Sequence, residues 1–142
     1  MTVHVEVENR TGQSVDEDAA RAAVVATLRA EGVTAGEVGV VLVDLAEMAA
    51  LNAAHRDKDE PTDVLSFPLD GRDDLPAGLP RQLGDVVVCP ARAEADGTPI
   101  ALLLVHGALH LVGYDHDADN GDMLRRQRAI FDEVEPVAVH PS

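Results

Sequence analysis

The pattern of apolar and polar positions along the chain predicts about four strands. Residues 3–8 (VHVEVE) alternate apolar and polar side chains, which is typical of a half-buried strand. The mostly apolar runs at 38–43 (VGVVLV) and 84–90 (GDVVVCP) predict buried strands. A shorter apolar stretch from Val64 to Leu69 predicts one more strand, which follows a polar loop.

Helical spacing of apolar residues predicts two helices in the first half of the chain. Ser14 and Glu17 fit a capping box, so a helix should follow them and end at Gly32. Asp44 is placed to cap a second helix, with Glu47 at the third helical position.

Two more helices are expected in the last third. Thr98–Pro99 resembles an N-cap followed by proline at the first helical position, which predicts a helix from Pro99 to about Val112. Gly113 is the natural end of that helix. A final helix is expected from about Gly121 to Val134.

The resulting order of elements, β-α-β-α-β-β-α-α, predicts an α+β fold. Residues 1–135 should form a single domain with about four strands in a mixed sheet packed with helices. Residues 136–142 (PVAVHPS) should be a loose C-terminal tail. The length of 142 residues suits one domain with a real core.

The composition limits the classes of partner. The net charge is −15, and a single lysine, Lys58, accompanies ten arginines. Such a chain is a poor non-specific binder of nucleic acid, since that affinity comes mostly from basic residues at phosphates. No apolar run is long enough to span a membrane, no signal peptide is evident, and one cysteine, Cys89, permits no internal disulfide. We therefore expect a soluble, cytoplasmic protein without membrane partners.

Three histidines in the stretch HGALHLVGYDH predict a metal site at the end of a core helix. His106 and His110 are four residues apart, so they project from one face of the helix. The turn at Gly113 allows His116 to reach the same ion. Three neutral imidazoles leave one tetrahedral position open, as in a catalytic zinc site. The alternative is a chance grouping of core or surface histidines.

Gly107 separates this stretch from a known class of zinc proteases. The histidine spacing matches H-E-x-x-H-x-x-G-x-x-H, in which glutamate is the general base of peptide hydrolysis. Gly107 occupies the glutamate position, so a conventional mechanism of that class is not expected. A metalloprotease-like hydrolase of unusual mechanism stays open as an alternative. Structurally, Gly107 is compatible with close helix packing.

Three segments resemble the YbeY family of bacterial rRNA maturation factors, which are metal-dependent endoribonucleases. HGALHLVGYDH is similar to the family signature H-G-x-L-H-L-x-G-Y-D-H. Residues 52–68 (NAAHRDKDEPTDVLSFP) resemble its R-x-K-x-x-P-T-D-V-L-S-F-P segment, and 83–89 (LGDVVVC) resemble its L-G-D strand. The resemblance covers about residues 38 to 134.

The resemblance implies a zinc-dependent endoribonuclease, specific for single strands, that acts in 16S rRNA 3′-end maturation and ribosome quality control. One Zn²⁺ per chain would bind His106, His110 and His116, with His106 also counted as catalytic. The family's essential arginine corresponds to Arg56, and Lys58 would contact substrate beside it. The implied partners are rRNA, the small ribosomal subunit and its associated proteins. A non-catalytic, metal-stabilised ribosome-assembly factor is a further alternative.

Elementary chemistry agrees with a role for Arg56, because a guanidinium can bind two phosphate oxygens at once. Other polar positions have structural interpretations as well. Asp63 and Asp85 are either turn residues or residues that orient a histidine. Tyr114 and Asp115 should shape the turn, and Asp115 could instead accept from an imidazole N–H. Arginines on the last helix form either a solvated face or a contact to rRNA or ribosomal protein: Arg125, Arg126 and Arg128.

Overall fold

A four-stranded mixed sheet lies at the centre of the fold. The computed structural model describes residues 3–56, 62–69, 81–114 and 121–140. In the order β1-β3-β5-β4, the first three strands are parallel and β4 is antiparallel to β5 at the edge. The α+β class and the mixed four-stranded sheet are therefore confirmed. The strands of this sheet are β1 (Val3–Asn9), β3 (Gly36–Leu42), β4 (Val64–Pro68) and β5 (Gln82–Val88).

Helices cover both faces of the sheet. Helices α1 and α4 share the larger core cluster with the sheet, while α2 packs on the opposite face, where Met48 meets Leu65 and Val87. Helix α5 packs on α4. No helix among the described residues is long and apolar enough to cross a membrane. The helices are α1 (Glu17–Ala30), α2 (Leu45–Arg56), α3 (Pro90–Asp96), α4 (Ile100–Leu111) and α5 (Asp122–Phe131).

The edge strand β4 separates α2 from α4. Successive side chains of a strand point to opposite faces. Leu65 and Phe67 accordingly pack in the cluster that contains α2, whereas Ser66 lies against Gly107 of α4. The two helices thus flank β4 from opposite sides.

The predicted N-cap of α2 is present in the structure, whereas the predicted N-cap of α1 is not. The Asp44 side chain accepts from the backbone N–H of Glu47 at 2.8 Å, as predicted. Helix α1, however, is capped by Asp16, whose side chain accepts from the N–H of Ala19 at 3.0 Å. The predicted capping box at Ser14 is wrong, because Ser14 lies in a short strand two residues earlier.

That short strand also changes the picture of the C-terminal residues. Strand β2 (Ser14–Val15) pairs antiparallel with β6 (Val139–His140). Val137 and Val139 are partly buried against the larger core cluster. The expectation of a loose tail over 136–142 therefore differs from the structure as far as residue 140. Val137 and Val139 pack against the core, which orders the segment. No sign of this is visible in the sequence, because a strand of two residues is too short to show an alternating pattern.

Helix α3 was not predicted. It begins at Pro90, shortly after β5, and ends at Asp96, where the C-cap residue Gly97 has a φ of 71°. Pro99 then serves as the N-cap of α4, so that helix starts one residue later than expected. Seven residues with little amphipathic pattern gave no helical signal of their own.

Helix α4 lies very close to the sheet at Gly107. A Cβ atom added there would lie 2.5 Å from Val86 Cγ1 and 3.2 Å from Ser66 Oγ. The Ser66 hydroxyl donates to the Gly107 carbonyl at 3.4 Å. The interpretation of Gly107 as a position of close helix packing is confirmed, and a longer side chain at this position would collide with β5.

Gly107→Ala is expected to lower the free energy of unfolding by about 1–3 kcal/mol, because the new methyl group overpacks the contact with Val86. Urea unfolding of the metal-free protein measures the loss. In the double variant Gly107→Ala/Val86→Ala the obstructing methyl groups of Val86 are gone. Its loss in free energy of unfolding should therefore be smaller than the sum of the losses in Gly107→Ala and Val86→Ala. Additive losses would show that the strain lies elsewhere.

Candidate metal centre

Helix α4 is buried except along one stripe. Leu102, His106 and His110 are half-buried and spaced by four residues, and they form a single line along the helix. The other residues from Ile100 to Leu111 are buried. Two imidazoles are therefore presented one turn apart on the only side of α4 that is not covered within the described residues.

The two imidazole rings point one nitrogen at each other. His106 Nε2 and His110 Nε2 are 3.1 Å apart, and the rings meet edge to face at 81°. Two Zn–N bonds of about 2.05 Å at a tetrahedral angle would place the nitrogen atoms about 3.3 Å apart. The pair thus fits two corners of a tetrahedral metal site.

The other nitrogen of each ring is held by an oxygen that only accepts hydrogen bonds. His106 Nδ1 donates to Gln127 Oε1 at 2.7 Å, and His110 Nδ1 donates to the Tyr114 carbonyl at 2.8 Å. With Nδ1 protonated on both neutral rings, both Nε2 atoms carry lone pairs. Two lone pairs at this distance repel each other unless a proton or a metal cation lies between them. In this tautomer, Nε2 is the nitrogen through which each ring can bind a cation.

The end of α4 places the acceptor for His110. The N–H of Gly113 donates to the His110 carbonyl and the N–H of Tyr114 donates to the Leu109 carbonyl, both at 3.1 Å. Together with a φ of 105° at Gly113, this is a Schellman ending. The predicted stop at Gly113 is confirmed, and the turn brings the Tyr114 carbonyl back to the imidazole it orients.

Helix α5 places the acceptor for His106. Met123 and Ile130 pack against Val105 and Leu109 of α4. Gln127 lies between them on the same side of α5, one turn from each. The sequence analysis did not assign Gln127 to the site. The available signal was a polar residue at helical spacing among apolar core positions.

The arginines of α5 do not form one basic patch. Arg126 Nε donates to Glu31 Oε2 at 2.8 Å and its Nη2 donates to the Ala30 carbonyl at 2.9 Å, so it is directed to the end of α1. Arg125 pairs with Asp122. Arg125 and Arg128 are exposed. For Arg125 and Arg128 both interpretations stay open, a solvated helix face or a contact to rRNA or ribosomal protein.

Tyr114 is tied to the same end of α1. Its hydroxyl hydrogen-bonds to Glu31, and this bond is the main reason that the pKa of the Tyr114 phenol lies above its usual value, with burial adding to the rise. The same carboxylate raises the pKa of Arg126. Tyr114 is part of the turn after α4, as the sequence analysis expected.

Several candidate residues fall outside this geometry. His116 and Asp115 lie within 115–120 and Lys58 within 57–61, which are outside the described residues. Arg56 is the last residue of α2, and its side chain is not described. Among the described histidines, cysteines and carboxylates, no group of three could hold a metal. The structure thus brings together His106 and His110 only.

The two aspartates that have two interpretations each lie just before β4 and within β5. The Asp63 carbonyl accepts from the N–H of Cys89 at 2.9 Å, just before β4. Asp85 pairs with Gly39 in the sheet register and is exposed. Its neighbour Val86 faces α4, so Asp85 points to the opposite face of the sheet.

A groove of about 500 Å³ adjoins the histidine pair. It shares Gln127 with the site and runs along the outer side of α4 and α5, where the apolar side chains of Leu102 and Phe131 meet Arg125 and Arg128. The Asp132 carboxylate also lines the groove, so its lining is apolar with charges of both signs.

Comparisons with known proteins define the family. The family model described as Endoribonuclease YbeY matches residues 5–135. Relatives called Endoribonuclease YbeY include one from Rhodococcus opacus, 40% identical over 145 residues (91% of this chain, 81% of the relative). Another, from Rhodococcus jostii, is 43% identical over 126 residues (79% and 70%). The solution structure of TM1509 from Thermotoga maritima is similar with a TM-score of 0.58 and 25% identity, covering 91% of this chain and 87% of that one.

The fold is that of a single α+β domain with a half-buried pair of histidines on a core helix. The chain belongs to the YbeY endoribonuclease family.

Proposed function

We propose that this protein is a metal-dependent endoribonuclease that cleaves single-stranded rRNA in the cytoplasm and acts in 16S rRNA 3′-end maturation and ribosome quality control. Family membership supports RNA cleavage and rRNA processing. The observation that carries the metal dependence is the pair of Nε2 atoms of His106 and His110, 3.1 Å apart, with each Nδ1 bound to an acceptor.

The proposed metal is one Zn²⁺ per chain, bound by His106, His110 and His116. His116 follows the turn at Gly113, which redirects the chain after α4. When bound, such an ion supplies a water of lowered pKa or polarises a phosphoryl oxygen. Gln127 and the Tyr114 carbonyl hold the rings in the tautomer that a metal requires, which is the usual task of such neighbours.

Arg56 and Lys58 are proposed to bind the substrate. Arg56 would bind two oxygens of the scissile phosphate and offset the charge that develops during displacement, with Lys58 as a second contact. Arg56 ends α2 on the side of β4 opposite to α4. It would therefore reach the histidines around the edge of the sheet, along which the RNA strand would lie.

His110→Ala is expected to hold far less metal than the wild-type protein, because a tetrahedral site that loses one of three imidazoles keeps only two protein ligands. Elemental analysis after dialysis measures metal per chain, with one ion expected for the wild type. The matched control is His4→Ala, which removes an exposed histidine of β1 and should keep full occupancy. Full occupancy in His110→Ala would contradict the site.

Arg56→Ala is expected to abolish cleavage of a single-stranded 16S 3′-end fragment while metal content and Tm stay near those of the wild type. The reason is that the guanidinium would contact phosphate, and neither the metal nor the core. Arg92→Ala on α3, which removes a surface ion pair with Asp96, is the control and should cleave normally. Wild-type activity in a folded Arg56→Ala protein would remove Arg56 from the site.

The net charge of −15 shapes the proposal about partners. Few cations are available for phosphates, so affinity for free RNA should come from few contacts, and the small ribosomal subunit or a protein on it would supply the rest. Each contact to a single strand contributes about 0.7 to the log–log salt slope. We expect weak binding of the naked fragment with a slope on the order of −1 to −3, and tighter binding to intact 30S particles. Tight binding of the fragment with a steep slope would oppose partner-dependent docking.

The two alternative functions make different demands. A protease of the zinc class would need a general base beside its metal, and the position where that class has glutamate is Gly107, whose Cβ position is already filled by Val86. Casein and labelled RNA offered under one metal condition separate this alternative from RNA cleavage. A non-catalytic, metal-stabilised assembly factor would bind 30S particles and metal, yet leave the RNA intact.

A further inference from the structure

The backbone of β4 alternates between residues that bond to β5 and residues that do not. In an antiparallel pair, every second residue exchanges both hydrogen bonds with its partner, and the residues between direct their N–H and C=O to the other side. The N–H of Leu69 donates to the Leu83 carbonyl at 3.0 Å. The N–H of Cys89 donates to the Asp63 carbonyl at 2.9 Å. Both bonds belong to the register of the pair, so the odd-numbered residues of β4 are the bonded ones.

Val64, Ser66 and Pro68 therefore direct their backbone groups away from the sheet, and these groups form the outer edge of β4. The proline agrees with this direction, because a residue without an N–H is tolerated where that group would face away from the ladder. Strand β4 is the last strand of the sheet, and in the described structure no group accepts from the N–H of Val64 or Ser66. The outer edge thus offers two donors, about 6.8 Å apart at the usual rise of a strand, with carbonyl acceptors beside them.

The histidines lie on a flank of α4 between the sheet and α5. Gly107 marks the side of α4 that rests on the sheet, and Val105 and Leu109 mark the side that packs on α5. Neighbouring residues of a helix are turned by about 100° about its axis. His106 and His110 consequently follow between these two sides.

This flank is turned to the outer edge of β4. The other flank of α4, with Leu104 and Ala108, is buried and faces α1. Helix α1 lies towards the opposite edge of the sheet, because Arg21 donates to the Val5 carbonyl of β1 at 3.0 Å and β1 is the first strand of the sheet. The two imidazoles therefore face past β4, on the same side as its unbonded backbone groups.

Donors and acceptors in alternation suit the sugar–phosphate chain of RNA. A backbone N–H donates to a phosphate oxygen, and a carbonyl accepts from the ribose 2′-OH, the group that distinguishes RNA from DNA. Neutral donors also fit a chain with a net charge of −15, which has few cations to offer to phosphates. The edge supplies contacts to RNA that the composition does not reveal.

We propose that the outer edge of β4 binds the RNA strand beside the histidine pair. The N–H groups of Val64 and Ser66 donate to phosphate oxygens, and the carbonyls of the same residues accept from 2′-hydroxyl groups. This contact rests on the proposed function, since it assigns a further part of the chain to the same substrate. Its loss differs in kind from the loss of a guanidinium, because no charge is removed.

Val64→Pro removes one outward N–H and no bond of the ladder. The dissociation constant of a single-stranded 16S 3′-end fragment should rise about 10-fold, the effect of one hydrogen bond to a charged group. The salt slope should stay that of the wild type, whereas Arg56→Ala should reduce it by about 0.7. Fluorescence anisotropy of the labelled fragment at several salt concentrations measures both quantities.

Val7→Pro is the matched control at the opposite edge of the sheet. Val7 is a half-buried valine of β1 that packs against the larger core cluster, as Val64 does. The N–H of Arg10 donates to the Leu42 carbonyl of β3, so the odd-numbered residues of β1 face away from β3. Val7→Pro should lower the Tm about as much as Val64→Pro and bind the fragment like the wild type.

An ester in place of the amide at Val64, introduced as the α-hydroxy acid, deletes the N–H and keeps the side chain. It carries the test if Val64→Pro fails to fold, with the same ester at Val7 as its control. A second arm uses an all-deoxy fragment, which lacks the 2′-hydroxyl groups and should bind the wild type more weakly than RNA does.

Wild-type affinity in a folded variant at Val64 would overturn the proposal and leave the edge to a protein segment that adds a strand. An equal loss in Val7→Pro would overturn it as well, because the effect would then follow stability. Equal affinities for the RNA and the all-deoxy fragment would remove the contact to the carbonyls. Failure of the proposed function would be seen instead in the wild type, as absence of RNA cleavage.

Discussion

The close approach of α4 to the sheet at Gly107 is the constraint on which the rest of the site depends. With no side chain at this position, the helix backbone comes to within contact of Val86 and Ser66. That contact fixes which side of α4 faces inward. The neighbouring stripe, which carries His106 and His110, is then the only part of the helix left half-buried in the described structure. A catalytic glutamate has no room at Gly107. The packing that presents the histidines therefore also excludes the glutamate-dependent peptide hydrolysis of the zinc proteases.

Local sequence signals predicted the parts of the fold that depend on local interactions. The four strands of the main sheet followed from period-two and apolar runs, and Asp44 and Gly113 were correctly placed as helix ends. The histidine pair also followed from spacing alone, because residues four apart on a helix must share a face. The site could therefore be predicted as far as its two described imidazoles.

The parts that were missed depend on contacts between distant segments. Strands β2 and β6 are two residues each and form only because residues 14–15 meet residues 139–140. Gln127 and Glu31 look ordinary in sequence, a polar residue on α5 and a charge at a helix end. Their roles arise when α5 docks on α4 and α1. No periodicity or capping rule contains this information, since it is created by tertiary packing.

The two histidines differ in how far along the chain their orienting partners lie. His110 is held by a carbonyl four residues away, within the ending of its own helix, whereas His106 is held by a side chain 21 residues away. Local opening of α5 would break the contact between His106 and Gln127 and leave the contact between His110 and the Tyr114 carbonyl intact. The protein would then pass through a state in which one ring is still correctly turned and the other rotates freely, so the integrity of the centre reports on the docking of a single helix.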